Sequence, residues 1–113
     1  MEPDDQDLQP VLVPGTYEWA LWMIKQGWRV QRRGWNGKGM FVFLGGGYTV
    51  PVDEARDGGV INREFLKSRG VTELKILPHI DMWSAQNEYV TGWLASQTDM
   101  LADDWEQYFD EQG

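Results

Sequence analysis

The sequence contains no cysteine and only one histidine. A disulfide framework, a thiolate metal site and a cysteine nucleophile are therefore excluded, and His79 alone cannot build a histidine metal cluster. The sequence also has no apolar run long enough to span a membrane and no recognisable signal peptide. We therefore expect a cytoplasmic protein without a cofactor or a metal centre.

Positive charge is scarce but concentrated. The net charge is −8, yet all ten lysines and arginines lie between Lys25 and Lys75, where there are only five acids. A basic middle in an acidic chain suits a small anion and repels polyanions, so we expect no DNA or RNA partner and no membrane partner. An ordinary mixed surface remains the alternative, because such charge asymmetries are common.

The order of predicted elements indicates an α+β fold. Residues 1–13 are acidic and contain proline, which predicts a flexible N-terminal extension, and residues 14–113 are predicted to form a single domain. A helix is expected over residues 17–26 and is apolar on two sides. One side would pack on the protein's own antiparallel β-sheet. The other side would meet a second subunit or be deeply buried.

Short strands and helices are predicted to follow. Strands are expected at residues 28–33, 40–44, 48–52, 73–77, 80–84 and 89–94, with helices at 62–68 and 98–104. Residues 105–109 alternate aromatic and polar side chains, which allows either an edge strand or a continued helix. The expected architecture is an N-terminal helix packed on an antiparallel sheet, with a short helix near the C-terminus.

A glycine-rich stretch, Gly34-Trp35-Asn36-Gly37-Lys38-Gly39, lies between two predicted strands. The Asn-Gly pair favours a type I′ turn, and the glycines allow the backbone to approach another group closely. The glycine spacing matches neither the Walker nor the dinucleotide-binding fingerprint. The stretch is therefore a weak nucleotide motif by itself.

A second stretch runs over residues 92–102 and changes from apolar to polar. Ser96 followed by Asp99 is typical of a capping box, the start of a helix. The free backbone N–H groups of a helix start suit a phosphate or a polar ligand group. An ordinary capped helix is the simpler alternative.

These stretches together resemble a known family. The residues concerned are 34–41 and 92–105, with supporting similarity at 27–30 and 77–82, and the resemblance spans about residues 16–106. The chain is similar to the second Thoeris anti-defence family of small phage proteins. It departs from the family's pattern at Asp81 and at residues 83–87, which replace a hairpin containing lysine and glycine.

The resemblance implies a function. Family members act as sponges in the infected bacterial host: they bind the cyclic ADP-ribose isomers made by bacterial TIR proteins, including glycocyclic ADP-ribose, without degrading them. Some members also hold cyclic dinucleotides at a separate site. They form homo-oligomers, typically tetramers, with ligand sites near subunit contacts.

A cyclic ADP-ribose needs a stacking plane, phosphate donors and polar partners for its ribose hydroxyls. On the resemblance, Trp35 and Trp93 are the candidate stacking planes. A buried core position is an equally weighted alternative for each. The candidate polar partners are Asn36, Ser96, Gln97, Thr98 and Asp99, and the candidate phosphate donors are Arg33, Lys38 and Arg63. Asp99 could instead serve only the helix start.

The sequence leaves two other functions as alternatives. A cyclic nucleotide hydrolase would need a carboxylate pair, either Asp103 with Asp104 or Asp81 with Asp99. Adjacent acids on a helix point to different sides and cannot flank one bond, and no nucleophile–base set accompanies them, so we do not expect an enzyme. A protein-binding inhibitor of a host defence component would use the tryptophan surface and the acidic tail.

Overall fold

The computed structural model describes residues 11–110. Its elements are α1 (Tyr17–Lys25), β1 (Val30–Arg32), β2 (Phe41–Gly45), β3 (Tyr48–Pro51), a 3₁₀ turn (Val52–Glu54), α2 (Arg63–Ser68), β4 (Glu73–Ile76), β5 (His79–Trp83), β6 (Tyr89–Val90), α3 (Gln97–Met100) and β7 (Trp105–Gln107). The predicted α+β class is confirmed. The predicted flexible extension falls mainly on residues 1–10, outside the described residues, and residues 11–13 have no regular secondary structure.

Helix α1 begins and ends where the sequence predicts, to within one residue. The Thr16 hydroxyl caps it by accepting a hydrogen bond from the Trp19 amide at 3.3 Å. Gly27 follows with φ of +95°, the left-handed conformation that often terminates a helix. The buried face carries Ala20, Met23 and Ile24.

A five-stranded sheet in the order β6-β5-β2-β1-β7 supports this helix. β1 pairs antiparallel with β2, through Val30 opposite Val42, and with β7, through Arg32 opposite Trp105. Val30, Val42 and Trp105 are buried with the apolar face of α1 in one core cluster. The predicted packing of the N-terminal helix on an antiparallel sheet is therefore confirmed.

The chain divides into two compact units by its contacts. One unit contains the sheet, α1 and α3, and the other is Gly45–His79. In the second unit, β3 and β4 pair antiparallel and Asn62 caps α2 by accepting from the Phe65 amide at 2.9 Å. Val52 and Leu66 are its buried apolar residues. Assignment of residues 14–113 to a single domain stays a prediction.

Four local predictions are wrong or too long. The strand predicted at residues 28–33 covers only Val30–Arg32. A type I′ turn needs positive φ at both central residues, but Asn87 is the one non-glycine residue with positive φ within residues 11–110, so Asn36 does not form such a turn. The strand predicted at residues 89–94 ends at Val90. Helix α3 ends at Met100 instead of residue 104, and the ambiguous segment after it is strand β7.

Candidate functional site

An arginine flanked by two aspartates ties the two singled-out stretches together. Arg32 on β1 donates from Nη1 to Asp99 Oδ1 and from Nε to Asp104 Oδ1, each at 2.8 Å. The Gly34 amide donates to the other oxygen of Asp104 at 2.7 Å. A Cβ at Gly34 would lie 2.7 Å from that oxygen, so any other residue here would have to displace the Asp104 carboxylate. Arg32 and its partners therefore fix where the glycine-rich stretch begins.

Asp99 serves both the helix start and the sheet. The predicted capping box is present: the Ser96 hydroxyl accepts from the Asp99 amide at 3.0 Å, and Asp99 Oδ2 accepts from the Ser96 amide at 3.1 Å. Its Oδ1 also accepts from the indole Nε1 of Trp35 at 3.2 Å. Both oxygens of Asp99 are thus already engaged within the protein.

Both aspartates are held in the ionised form. Burial by itself would raise the pKa of Asp99, but the hydrogen bonds from Arg32, the Ser96 amide and Trp35 outweigh burial and lower it. The Arg32 hydrogen bond lowers the pKa of Asp104. The charge of Arg32 is consequently neutralised by its own partners, and little of it is left for a ligand.

These pKa shifts predict acid sensitivity. The folded pKa values of Asp99 and Asp104 lie below their ordinary values, so their contribution to stability is complete above the unfolded pKa of about 3.9 and is lost as pH falls through the folded pKa. We expect the free energy of unfolding, measured in urea between pH 7 and pH 3, to fall below about pH 4. Asp104→Asn should flatten this fall, and an unchanged slope would contradict the assignment.

Three tryptophans pack edge to face beside the arginine. The ring centroids of Trp35 and Trp105 are 5.4 Å apart, and the Trp93 centroid lies 6.2 Å from each of them. Trp105 is 2% exposed, whereas Trp35 and Trp93 are half-buried. The two predicted stacking planes are therefore brought together, and each also carries part of the core packing.

A cleft of about 630 Å³ opens on the sheet beside Trp35. Its lining residues are Gln31, Arg32, Arg33, Trp35, Gly37, Lys38, Gly39, Glu106, Tyr108 and Phe109. Lys38 is exposed, and Arg33 is 73% exposed with its guanidinium 3.8 Å from the Glu106 carboxylate. Two accessible cations and aromatic surface therefore meet in one concave site, within the usual volume range of ligand pockets.

The other predicted site residues are distributed more widely. Asn36 is exposed within the glycine-rich stretch, and Gln97 and Thr98 are exposed in the first turn of α3. Ser96 uses its hydroxyl as a helix cap. Arg63 belongs to the second unit, where it pairs with Asp57 and donates to the Asp53 carbonyl at 3.4 Å.

Sequence reasoning missed several residues of the site. Arg32 and Asp104 are 72 positions apart, and nothing in a single sequence pairs them. Tyr108 and Phe109 line the cleft because the chain continues past the edge strand β7. Of the two alternatives for residues 105–109, only the edge strand would have indicated that these side chains reach the cleft. Glu106 alternates with the buried Trp105 on the same strand. This alternation is visible in the sequence and indicates that Glu106 faces away from the core.

Comparison with known proteins shows which family the chain belongs to. The family model described as the Thoeris anti-defense 2-like domain matches residues 15–108. A protein of Bacillus phage SP01 named Thoeris anti-defense 2 is 34% identical over 87 residues, which cover 77% of this chain and 86% of that protein. The chain belongs to the Thoeris anti-defence 2 family.

The Thoeris anti-defence 2 match covers the whole of the cleft apart from one residue. Residues 15–108 include the Arg32 cluster, the three tryptophans and every cleft-lining residue except Phe109. Within residues 11–110, no group of histidine, aspartate and glutamate side chains is arranged to hold a metal ion. The same residues contain no helix with the length and apolar character of a membrane span.

Proposed function

We propose that this chain silences Thoeris defence in the infected host cell by binding a TIR-derived cyclic ADP-ribose isomer and keeping it from its effector. The observation that carries the proposal is the 630 Å³ cleft that joins Trp35, Arg33 and Lys38. Family membership supports the anti-defence role. The identity of the ligand is what the family resemblance implies, and the chemistry of the cleft supports it.

The cleft offers the groups that such a ligand needs. A pyrophosphate carries two negative charges. Lys38 and Arg33 are the lining cations that the Asp99–Asp104 pair does not neutralise, and Arg33 shares its charge with Glu106 at 3.8 Å. Charge-assisted hydrogen bonds to phosphate are about twice as strong as neutral ones. The Trp35 and Tyr108 rings supply flat surface for adenine. A cyclic dinucleotide, which also carries two phosphates, is a second ligand that we propose for the family's separate site.

Binding without cleavage is the proposed mode of action. Three of the four carboxylates considered for hydrolysis are occupied: Asp99 and Asp104 hold Arg32, and Asp81 accepts from Tyr89 and from the Gly92 amide. The fourth, Asp103, is exposed, and its proposed partner Asp104 is already engaged. Because the pKa values of Asp99 and Asp104 are lowered, neither holds the proton that a general acid must donate. These features favour sequestration over hydrolysis.

Lys38 allows a clean test, because it is exposed and its loss should leave the fold intact. We expect Lys38→Gln to weaken the binding of glycocyclic ADP-ribose about five- to ten-fold, as loss of one charge-assisted contact should. Calorimetric titration measures the effect. Lys25→Gln removes the same charge from the end of α1 and should bind normally. Equal binding by both variants would place the phosphates elsewhere.

We further propose that the chain acts as a homo-oligomer, with a tetramer the expected form. Several large apolar side chains are exposed, including Trp22 at 44%, Trp28 at 51%, Leu94 at 90% and Leu101 at 77%. Association of several copies would cover such exposed apolar side chains. Light scattering at micromolar concentration should give a mass several times that of the chain, and a stable monomer would overturn this proposal.

A further inference from the structure

One carboxylate in the sheet is completely buried and lies outside the cleft. Asp81, in the middle of β5, is 0% exposed. Its neighbours Ile80 and Met82 pack against the core cluster beneath α1, so strand alternation places Asp81 on the opposite face of the sheet. A buried carboxylate is costly unless hydrogen bonds compensate for lost water. Its bonding partners therefore indicate what it does.

Asp81 holds the segment that follows β6, where the chain leaves the sheet. Its Oδ1 accepts from the Gly92 amide at 2.7 Å, and its Oδ2 accepts from the Tyr89 hydroxyl at 2.6 Å. Strand β6 is only two residues long, and Gly92 then adopts φ of +78°. The next amide, that of Trp93, donates to the Ile80 carbonyl at 2.7 Å. Two successive amides are thus anchored to β5, one by a side chain and one by the backbone.

This anchor determines where Trp93 lies. The Trp93 ring contacts the rings of Trp35 and Trp105, and Ser96, three residues later, caps α3. We propose that Asp81 is a positioning residue for the ligand site, acting through the Gly92 amide to seat Trp93 behind Trp35. The effect on the ligand rests on the proposed function, whereas the seating of Trp93 does not.

Far-ultraviolet circular dichroism reports the position of Trp93 directly, because the strong far-ultraviolet transitions of closely packed indole rings couple and give a paired positive and negative band, the tryptophan couplet. Asp81→Val removes the acceptor and should reduce the tryptophan couplet and weaken glycocyclic ADP-ribose binding about ten-fold, the effect of one misplaced aromatic plane. Asp81→Asn keeps an oxygen for the Gly92 amide and should preserve the couplet and restore affinity to within about two-fold. Tyr89→Phe removes the hydrogen bond to Asp81 Oδ2 and leaves the contact between Oδ1 and the Gly92 amide in place, so it should resemble the wild type.

The outcomes separate the inference from the function. A normal couplet in Asp81→Val, or an equal loss in Tyr89→Phe, would overturn the positioning role. Absence of binding by the wild type would overturn the proposed function while the couplet still tests the anchor. If Asp81→Val does not fold, amide exchange in Tyr89→Phe replaces it: the Gly92 amide should be protected, and rapid exchange there would contradict the inference.

Discussion

Replacing Arg32 with methionine should cost about 2–3 kcal/mol of folding free energy, the largest expected loss of stability among the polar residues of the site. The change leaves two partly buried carboxylates without their cation, since Asp99 and Asp104 are only 13% and 22% exposed. It also loosens the anchor of the glycine-rich stretch. Urea unfolding at pH 7 measures the effect.

A second arginine provides the matched control. Arg29, like Arg32, makes two hydrogen bonds to carboxylate oxygens, but both go to Asp110, at 2.8 and 3.2 Å, and that pair is solvent-exposed. Exposed ion pairs contribute little to stability. Arg29→Met should therefore shift the urea midpoint much less than Arg32→Met. Equal shifts of the urea midpoint in the two variants would mean that burial does not determine how much the Arg32 cluster contributes to stability.

Trp35→Ala should weaken binding of glycocyclic ADP-ribose about ten-fold or more, the largest expected effect on function. Trp35 is the one tryptophan of the cluster that lines the cleft. Because its ring also packs against Trp105 and its Nε1 donates to Asp99, the variant should lose stability as well. The binding titration should be done at a temperature at which circular dichroism shows that the variant is folded.

Trp35→Phe separates the two contributions. Phenylalanine keeps an aromatic plane but cannot donate to Asp99, so stability should fall while most of the affinity remains. A folded Trp35→Ala variant with normal affinity would show that the ligand does not stack on this ring. Loss of affinity in Trp35→Phe as large as in Trp35→Ala would assign the effect to the Asp99 hydrogen bond instead.

Local signals in the sequence were sufficient for the main elements. Ser96 is the helix cap that its spacing from Asp99 indicates, because a cap depends on residues three positions apart. Residue 62 was expected inside its helix, and Asn62 is instead the cap of α2. The strand at Glu73–Ile76 was recognised from its alternating side chains. Helix caps and strand alternation depend on a few consecutive residues, so the sequence alone predicts them.

Long-range pairing could not be predicted in the same way. Asp104 follows α3 in the chain but accepts hydrogen bonds from Arg32 and from the Gly34 amide, about 70 positions earlier. The cleft combines residues 31–39 with residues 106–109, which meet only because β7 pairs beside β1. Trp35, Arg33 and Lys38 were named from the sequence, but their shared cleft required the topology.

Analysis of ligand released from the loaded protein tests the central proposal most directly. A sponge must have a dissociation constant below the signal concentration that triggers the effector. This requires a constant of around one nanomolar, or a binding free energy of about −12 kcal/mol. The protein is loaded with glycocyclic ADP-ribose, heated, and the released molecule is identified by mass spectrometry and assayed on its effector. The proposal predicts release of the unchanged, active cyclic molecule. Linear ADP-ribose that accumulates beyond the amount of protein would contradict it and establish turnover.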